Sequence, residues 1–554
     1  MAADAGPDGE RFGPVQRWEW LALLLATALG GAIRFWAMRR APGLWYDEAW
    51  YALEALDLLR NPGWPIFFSG GGHMREPLFM YLLAPVFHFF GPTVETARGT
   101  CVAIGTLTIP AFWWMARGID GRRVAIAVLF LAVPFRWHVH FSSLCFRTIL
   151  TPLFAALLAG AVARWLRGGG PRWAAVAGAF LGAGLYTYTA WRLAPVALAA
   201  GGALLWWRAR RDGSSLPAGL RREAAAFAAC AFVVAAPLLL HYLRRPDQFA
   251  HRAGEVELEG RGRSRAAILA AQARDVALMF AFRGDHVGKH NLPGGPGFLQ
   301  ARLWSVPGAE EAARWQDARA AGAAPDPHGT GLPLFDVATG LLFYAGIALF
   351  VSRALRGPAG PEGPVLAWLA VGSLASVLSF GAPNYLRLTL LMPAVLLVLG
   401  AAACELHRRL AARGGALAST VLALLFANYA AVELRRAASW PEHPMVPREF
   451  NVEFRAAGEA LRPYAGGPPV KVPAYLGLPP TLRFCADGVR LVAADGAPGE
   501  REWLELHPLP PWPPFDGPAP PPGAAVERAA TIQSGGAPWG YIVRVRVPAA
   551  PSSP

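Results

Sequence analysis

Two adjacent carboxylates, Asp47 and Glu48, sit among four aromatic rings in residues 43–51 (GLWYDEAWY), just after the first long apolar segment. That placement suits proton transfer at a lipid boundary, because charge is costly inside hydrocarbon and Trp and Tyr favour the membrane interface. If residues 49–59 are helical, Ala52, Leu53, Leu56 and Leu59 share one face, with Glu54 and Asp57 opposite. The result is an amphipathic helix in the first outer loop with the acidic pair at its entrance. One carboxylate then acts as a base toward a hydroxyl. The structural alternative is that Asp47 caps the helix, a position Asp favours. Neighbouring side chains on a helix diverge by about 100°, so only one of the pair can face a reaction.

Further polar groups recur at the ends of apolar segments. They are His73, Arg75 and Glu76; Arg136, His138, His140 and Arg147; Tyr186, Tyr188 and Arg192; Asp285, His286, Lys289, His290 and Asn291; and Asn384, Tyr385 and Arg387. Singly, each has a plain explanation: arginines snorkel to headgroups, tyrosines form interfacial belts. The His138–His140 pair lacks an acidic neighbour and is a weak metal signal. Together, cations from separate loops suit a phosphate or pyrophosphate headgroup, since Arg binds phosphate oxygens bidentately and stays charged on burial. A carboxylate facing them suits activation of a hydroxyl while a phosphate leaves. No GxGxxG, P-loop or CxxC motif is present, and no metal or cofactor is expected.

The elements that must hold these groups are membrane helices. The chain has 54% hydrophobic and 16% charged residues, against about 25% charged in soluble domains. The net charge of +14 comes from arginine clusters between apolar segments, a topology signal that argues against nucleic acid as partner. Segments able to cross the bilayer lie near 18–38, 99–116, 124–141, 148–166, 173–190, 193–207, 224–243, 333–352, 365–381, 388–404 and 415–432, about eleven in all. Residues 77–90 are too short to span and read as interfacial or re-entrant. With that segment on the surface, the arginine clusters fall inside, and the loops 39–98 and 244–332 lie outside. The fold class is a polytopic helical membrane protein. An inner segment 1–17 precedes a membrane domain 18–435, and a small α+β domain 436–554 lies outside the membrane. Residues 264–283 read as a helix, and 300–331 as a polar helix and linker. Alternation in 541–547, with Val543, Val545 and Val547 opposite Arg544 and Arg546, predicts a half-buried strand. Neither internal repeats nor broken helices are evident, which argues against a transporter or flippase of lipid-linked sugar, the main alternative. A membrane scaffold is a third reading.

In order, WYDEA, REPLFMYL, MARGIDGRR, HVHFSSLCFR and GLYTYTAWRLAP resemble bacterial glycosyltransferase family 39 of the GT-C superfamily, relatives of protein O-mannosyltransferases and of the lipid A aminoarabinose transferase. FRGDHVGKHNLPG, PLFDVATGLLFYAGI and APNYLRLTLLMP extend the likeness, which covers roughly 15–430. The resemblance implies inverting transfer of a sugar from a polyprenyl-phosphate donor to a protein, lipid or glycan hydroxyl on the outer face of the bacterial cytoplasmic membrane. It implies Asp47 as base with Glu48 beside it. Arg147, Tyr188 and Arg192 fall near the donor phosphate, with Tyr186, Glu76, His290 and Arg387 as further substrate-binding candidates. Ser143 stands where relatives often have arginine, and 300–331 reads as an insertion.

Overall fold

The computed structural model describes residues 12–70, 73–213, 219–249, 264–285, 287–292, 331–443, 445–494, 501–509, 512–534 and 536–548. His286 and all of 300–331 but its last residue lie outside the described residues. Each apolar segment read as a span contains a helix. Seven described helices are long and apolar enough to cross a membrane, or eight if the bent pair Arg122–Ala132 and Arg136–Ser143 counts as one. Among the other expected spans, 173–190 holds only the 14-residue helix Pro171–Gly184, and 365–381 the 16-residue helix Glu362–Val377. Ala194–Arg211 carries three arginines in its last turn. Leu78–Phe90 is a 13-residue apolar helix, too short to cross unaided. The chain is a multi-pass membrane protein.

Two compact units are present. The first comprises Met1–Ala41, Gly63–Leu82 and Arg98–Met445. Its centre is the helix Met392–Ala411, whose residues from Met392 to Ala403 are all buried. A helix apolar all round must be enclosed by others, and this one packs against Arg122–Ala132, Val337–Arg356 and Gly415–Ser439. Lipid gives helices little hydrophobic reason to associate, so small residues that permit close approach carry the packing. Gly178 and Gly182 do so against Leu220–Arg244: a Cβ at Gly178 would lie 2.1 Å from the Phe227 carbonyl oxygen.

One broken helix corrects the expectation of none. Arg122–Ala132 and Arg136–Ser143 meet at 53°, at Pro134, which has no N–H to continue the helical ladder, and Phe135, which is non-helical at φ −52°, ψ 96°. The freed backbone groups are satisfied from other helices. Arg34, fully buried, donates to the Ala132 and Val133 carbonyls at 3.2 and 3.3 Å. Glu433 accepts from the Arg136 N–H at 2.7 Å. A cation thus meets the C-terminal end of one half-helix and an anion the N-terminal end of the other, each matching the helix dipole.

The second unit comprises Pro42–Pro62, Leu83–Ala97 and Val446–Pro554. Strands β1 (Val470–Val472), β2 (Leu491–Ala493), β3 (Glu502–Pro508), β4 (Ala525–Ser534) and β5 (Ala537–Arg546) form a sheet in the order β2-β1-β3-β5-β4. β1 runs parallel to β2 and β3, and β5 antiparallel to β3 and β4. The strand expected at 541–547 is β5, but both its faces are covered. Ile542 joins Leu504 and Leu506 in the main core, while Val543 and Val545 pack with Trp503 on the other side.

The tail's core is completed by pieces of the first loop. Phe87 stacks on Phe484 with centroids 5.8 Å apart, Arg60 pairs with Asp487 at 2.6 Å, and Arg455 with Glu95 at 2.7 Å. Helix Pro480–Cys485 packs on Tyr46–Arg60. This packing changes the amphipathic face expected for that helix: Glu54 is buried and Leu59 is exposed. The buried residues are Glu48, Ala49, Tyr51, Ala52, Glu54, Ala55 and Leu56.

Candidate active site

The N-cap of the helix Tyr46–Arg60 is Trp45, so Asp47 is not its cap residue. Glu48 does the capping: fully buried, it accepts from the Trp45 N–H at 2.8 Å. Asp47 is half-buried in the same first turn, where the helix dipole favours an ionised carboxylate. The approach to the helix is clamped by the tail. Leu44 donates its N–H to the Phe450 carbonyl at 2.6 Å, and its own carbonyl accepts from Thr481 Oγ1 at 3.0 Å. Gly43 adopts φ +32°, and a Cβ there would fall 1.9 Å from the Phe450 oxygen. The adjacent pair is therefore divided, with Glu48 fixed in the turn and Asp47 as the candidate base.

In the first unit, Glu76 gathers two of the predicted cations, Arg147 and Arg192. The loop leading to it is fixed by mutual backbone bonds between Phe68 and Arg75 at 3.1 and 2.8 Å. Glu76 is buried, and its Oε2 accepts from Arg147. Its Oε1 accepts from Thr189 Oγ1 at 2.9 Å and lies 3.6 Å from Arg192 Nη2. Arg147 opens the short turn Arg147–Ile149, and its guanidinium lies 5.1 Å from the Tyr188 ring. Thr189 and Arg192 belong to the turn Thr189–Leu193. Arg192 also donates to Tyr242 Oη at 2.8 Å and to the Phe249 carbonyl at 2.9 Å. Burial alone would raise the Glu76 pKa, but Arg147 and then Arg192 hold it below the ordinary carboxylate value. Two guanidinium groups and a hydroxyl thus converge on one oxyanion. This donor set also suits a phosphate.

The remaining candidates fall elsewhere. Tyr186 Oη donates to the Val234 carbonyl at 2.9 Å and accepts from Leu238 N–H at 3.3 Å. It is inserted into the ladder of Leu220–Arg244 beside Pro237, which lies within that helix. His290 Nδ1–H donates to Asp285 Oδ2 at 3.0 Å, and that oxygen also accepts from Tyr385 N–H at 2.7 Å. Burial lowers the His290 pKa more than Asp285 raises it, so the imidazole is neutral near pH 7. Arg387 donates to Ser379 Oγ at 2.6 Å and to the Phe380 carbonyl at 2.9 Å. Arg136 reaches Asn291 Oδ1 at 2.8 Å. This second cluster ties Lys289 and Asn291 to the broken helix. His138 and His140 part company: one contacts Arg34 at 2.8 Å, the other the Lys289 carbonyl at 2.8 Å. Among the described residues no His, Cys, Asp and Glu cluster could hold a metal. Thr189, Tyr242 and Phe249 were not expected in the Glu76 site; a Thr three residues before Arg192 was the sole local hint.

No protein-family model matches the sequence, and no curated protein matches it by sequence. Solved structures do. ArnT from Cupriavidus metallidurans bound to undecaprenyl phosphate superposes with a TM-score of 0.52 at 15% identity, covering 96% of this chain and 98% of that one. Its apo state gives 0.52 at 14%, covering 95% and 97%. The apo oligosaccharyltransferase of Archaeoglobus fulgidus gives 0.52 at 15%, covering 86% of this chain and 65% of that one. The chain has the fold of the GT-C membrane glycosyltransferases.

Proposed function

We propose that the chain is an inverting glycosyltransferase that moves a sugar from a polyprenyl-phosphate donor to a hydroxyl of a protein, lipid or glycan. It works on the outer face of the bacterial cytoplasmic membrane, with about eleven membrane segments and the tail outside. Asp47 takes the proton of the acceptor hydroxyl. The acceptor oxygen bonds to the anomeric carbon from the face opposite the phosphate. The carbon–oxygen bond to phosphate breaks, and its electron pair leaves on the phosphate, held by Arg147 and Arg192. No step is assigned to a metal.

The observation that carries this reading is the convergence of Arg147, Thr189 and Arg192 on one buried oxyanion. It is supported by the likeness to a fold whose solved ArnT structure holds undecaprenyl phosphate. Envelope glycans and glycoproteins from cells with and without the chain, compared by mass spectrometry, test it. One glycoform is expected to disappear without the chain, and identical profiles would contradict the proposal.

A further inference from the structure

Arg192 reaches Glu76 from the more open edge of the site, and Tyr242 stands beside it there. Tyr242 is half-buried and packed against three groups. Its ring centre lies 5.2 Å from that of Phe67, 5.0 Å from that of Phe249 and 5.2 Å from the Arg192 guanidinium. His241, the preceding residue, stacks on Phe67 at 5.3 Å. This packing fixes the ring and with it the place of the hydroxyl. Arg192 Nη2 donates to Tyr242 Oη at 2.8 Å, and a guanidinium can only donate. The phenol therefore serves Arg192 as acceptor, and its own O–H remains to donate. Among the described residues no hydrogen bond uses that proton, although a Tyr O–H away from water ordinarily finds a partner. The phenol feels the charges of Arg192, Glu76 and Arg147, so it faces the same site as they do. Thr189 differs, because its hydroxyl already donates to Glu76 Oε1 at 2.9 Å.

Resting on the phosphate-site reading above, we propose that Tyr242 is a further substrate-binding residue, giving its O–H to a non-bridging oxygen of the lipid phosphate. Arg192 and Tyr242 then act in series. The cation donates to the phenol oxygen, and that bond polarises the phenol and makes its O–H a stronger donor. A phosphate oxygen gains most from it, because hydrogen bonds to charged groups are stronger than those between neutral ones. A lipid alcohol offers no anionic oxygen. The phenol thus separates lipid phosphates from lipid alcohols, and it does so without adding a charge to the site.

The test titrates the full-length protein in nanodiscs with farnesyl phosphate and with farnesol, the same chain without the phosphate. Tyr242→Phe keeps the ring and its packing but removes the hydroxyl. It is expected to weaken farnesyl phosphate binding by about tenfold and to leave farnesol binding and the unfolding midpoint unchanged. Farnesyl phosphate bound equally by wild type and Tyr242→Phe, while Arg192→Ala binds it more weakly, overturns the role of Tyr242 and leaves the phosphate site standing. Equal weakening for both probes also overturns it, since the residue would then pack on the lipid chain alone. Failure of the wild type to bind farnesyl phosphate, or binding unchanged by Arg192→Ala, overturns the phosphate site itself. If Tyr242→Phe does not fold, Tyr242→Met replaces it as a variant without the hydroxyl. The same selective loss of farnesyl phosphate is expected, and retained binding overturns the proposal.

Discussion

Arg147 and Arg192 share one carboxylate but not one environment, and their substitutions should therefore separate. Arg147 is enclosed, so Arg147→Ala leaves Glu76 buried beside a weakened partner set. A loss of about 3–5 kcal/mol of stability is expected, seen as a lower unfolding midpoint in detergent. Arg192 is partly exposed and keeps its aromatic neighbours at the rim. Arg192→Ala should change stability by no more than about 1 kcal/mol yet weaken donor binding by about tenfold. The reverse pattern would remove Arg192 from the phosphate site. Glu76 also predicts a pH dependence. Its folded pKa lies below the ordinary 4.5, so the unfolded chain takes up this proton first as pH falls. Its contribution is full above about pH 4.5 and is lost as pH drops through the folded value. The stability gap between wild type and Glu76→Gln should hold steady well above about pH 4.5 and close as the pH falls below it; a constant gap would contradict the ion pair.

Among the elements, what the sequence showed was what depends on local pattern. Apolar runs became helices because the backbone must satisfy itself in lipid, and alternation at 541–547 became β5. The broken helix was hidden because its cause is local but its stabilisation is not: Pro134 marks the place, while Glu433 lies 297 residues from Arg136 and Arg34 lies 99 from Val133. The pairing of Arg147 with Glu76, 71 residues apart, was equally non-local, although both had been singled out by type and position. Tyr186 and Tyr188 could not be told apart by pattern; only the bonds to Val234 and Leu238 claim the first. The clamp on the Asp47 helix gives a test at this scale. Gly43→Val must push the Phe450 carbonyl aside and break its bond to Leu44. Transfer should fall by about tenfold or more, since small displacements of a reacting group are expensive in rate. Membrane insertion should be normal, and an unchanged rate would show that the clamp does not position Asp47.

For the whole molecule, the tail is more than an appendage. It shares a core with the loop that bears Asp47, through Phe484, Asp487, Thr481 and Phe450. The composition shift after Trp440 could not show that residues 42–62 and 83–97 join Val446–Pro554 in one unit. A chain ending at residue 445 should still insert its apolar helices but lose transfer. The fragment 446–554 alone should be poorly folded by circular dichroism, because Phe484 and neighbouring apolar surface lose their cover. A stable, monomeric fragment would contradict that dependence. The most direct measurement is single-turnover transfer by purified protein given a radiolabelled polyprenyl-phosphate sugar and envelope acceptors, with Asp47→Asn alongside. Label is expected to move to a new acceptor with release of polyprenyl phosphate, and Asp47→Asn to be slower by roughly 10²–10⁴-fold while inserting normally. Full turnover in Asp47→Asn, or sugar that crosses the bilayer still joined to its lipid, would contradict the account.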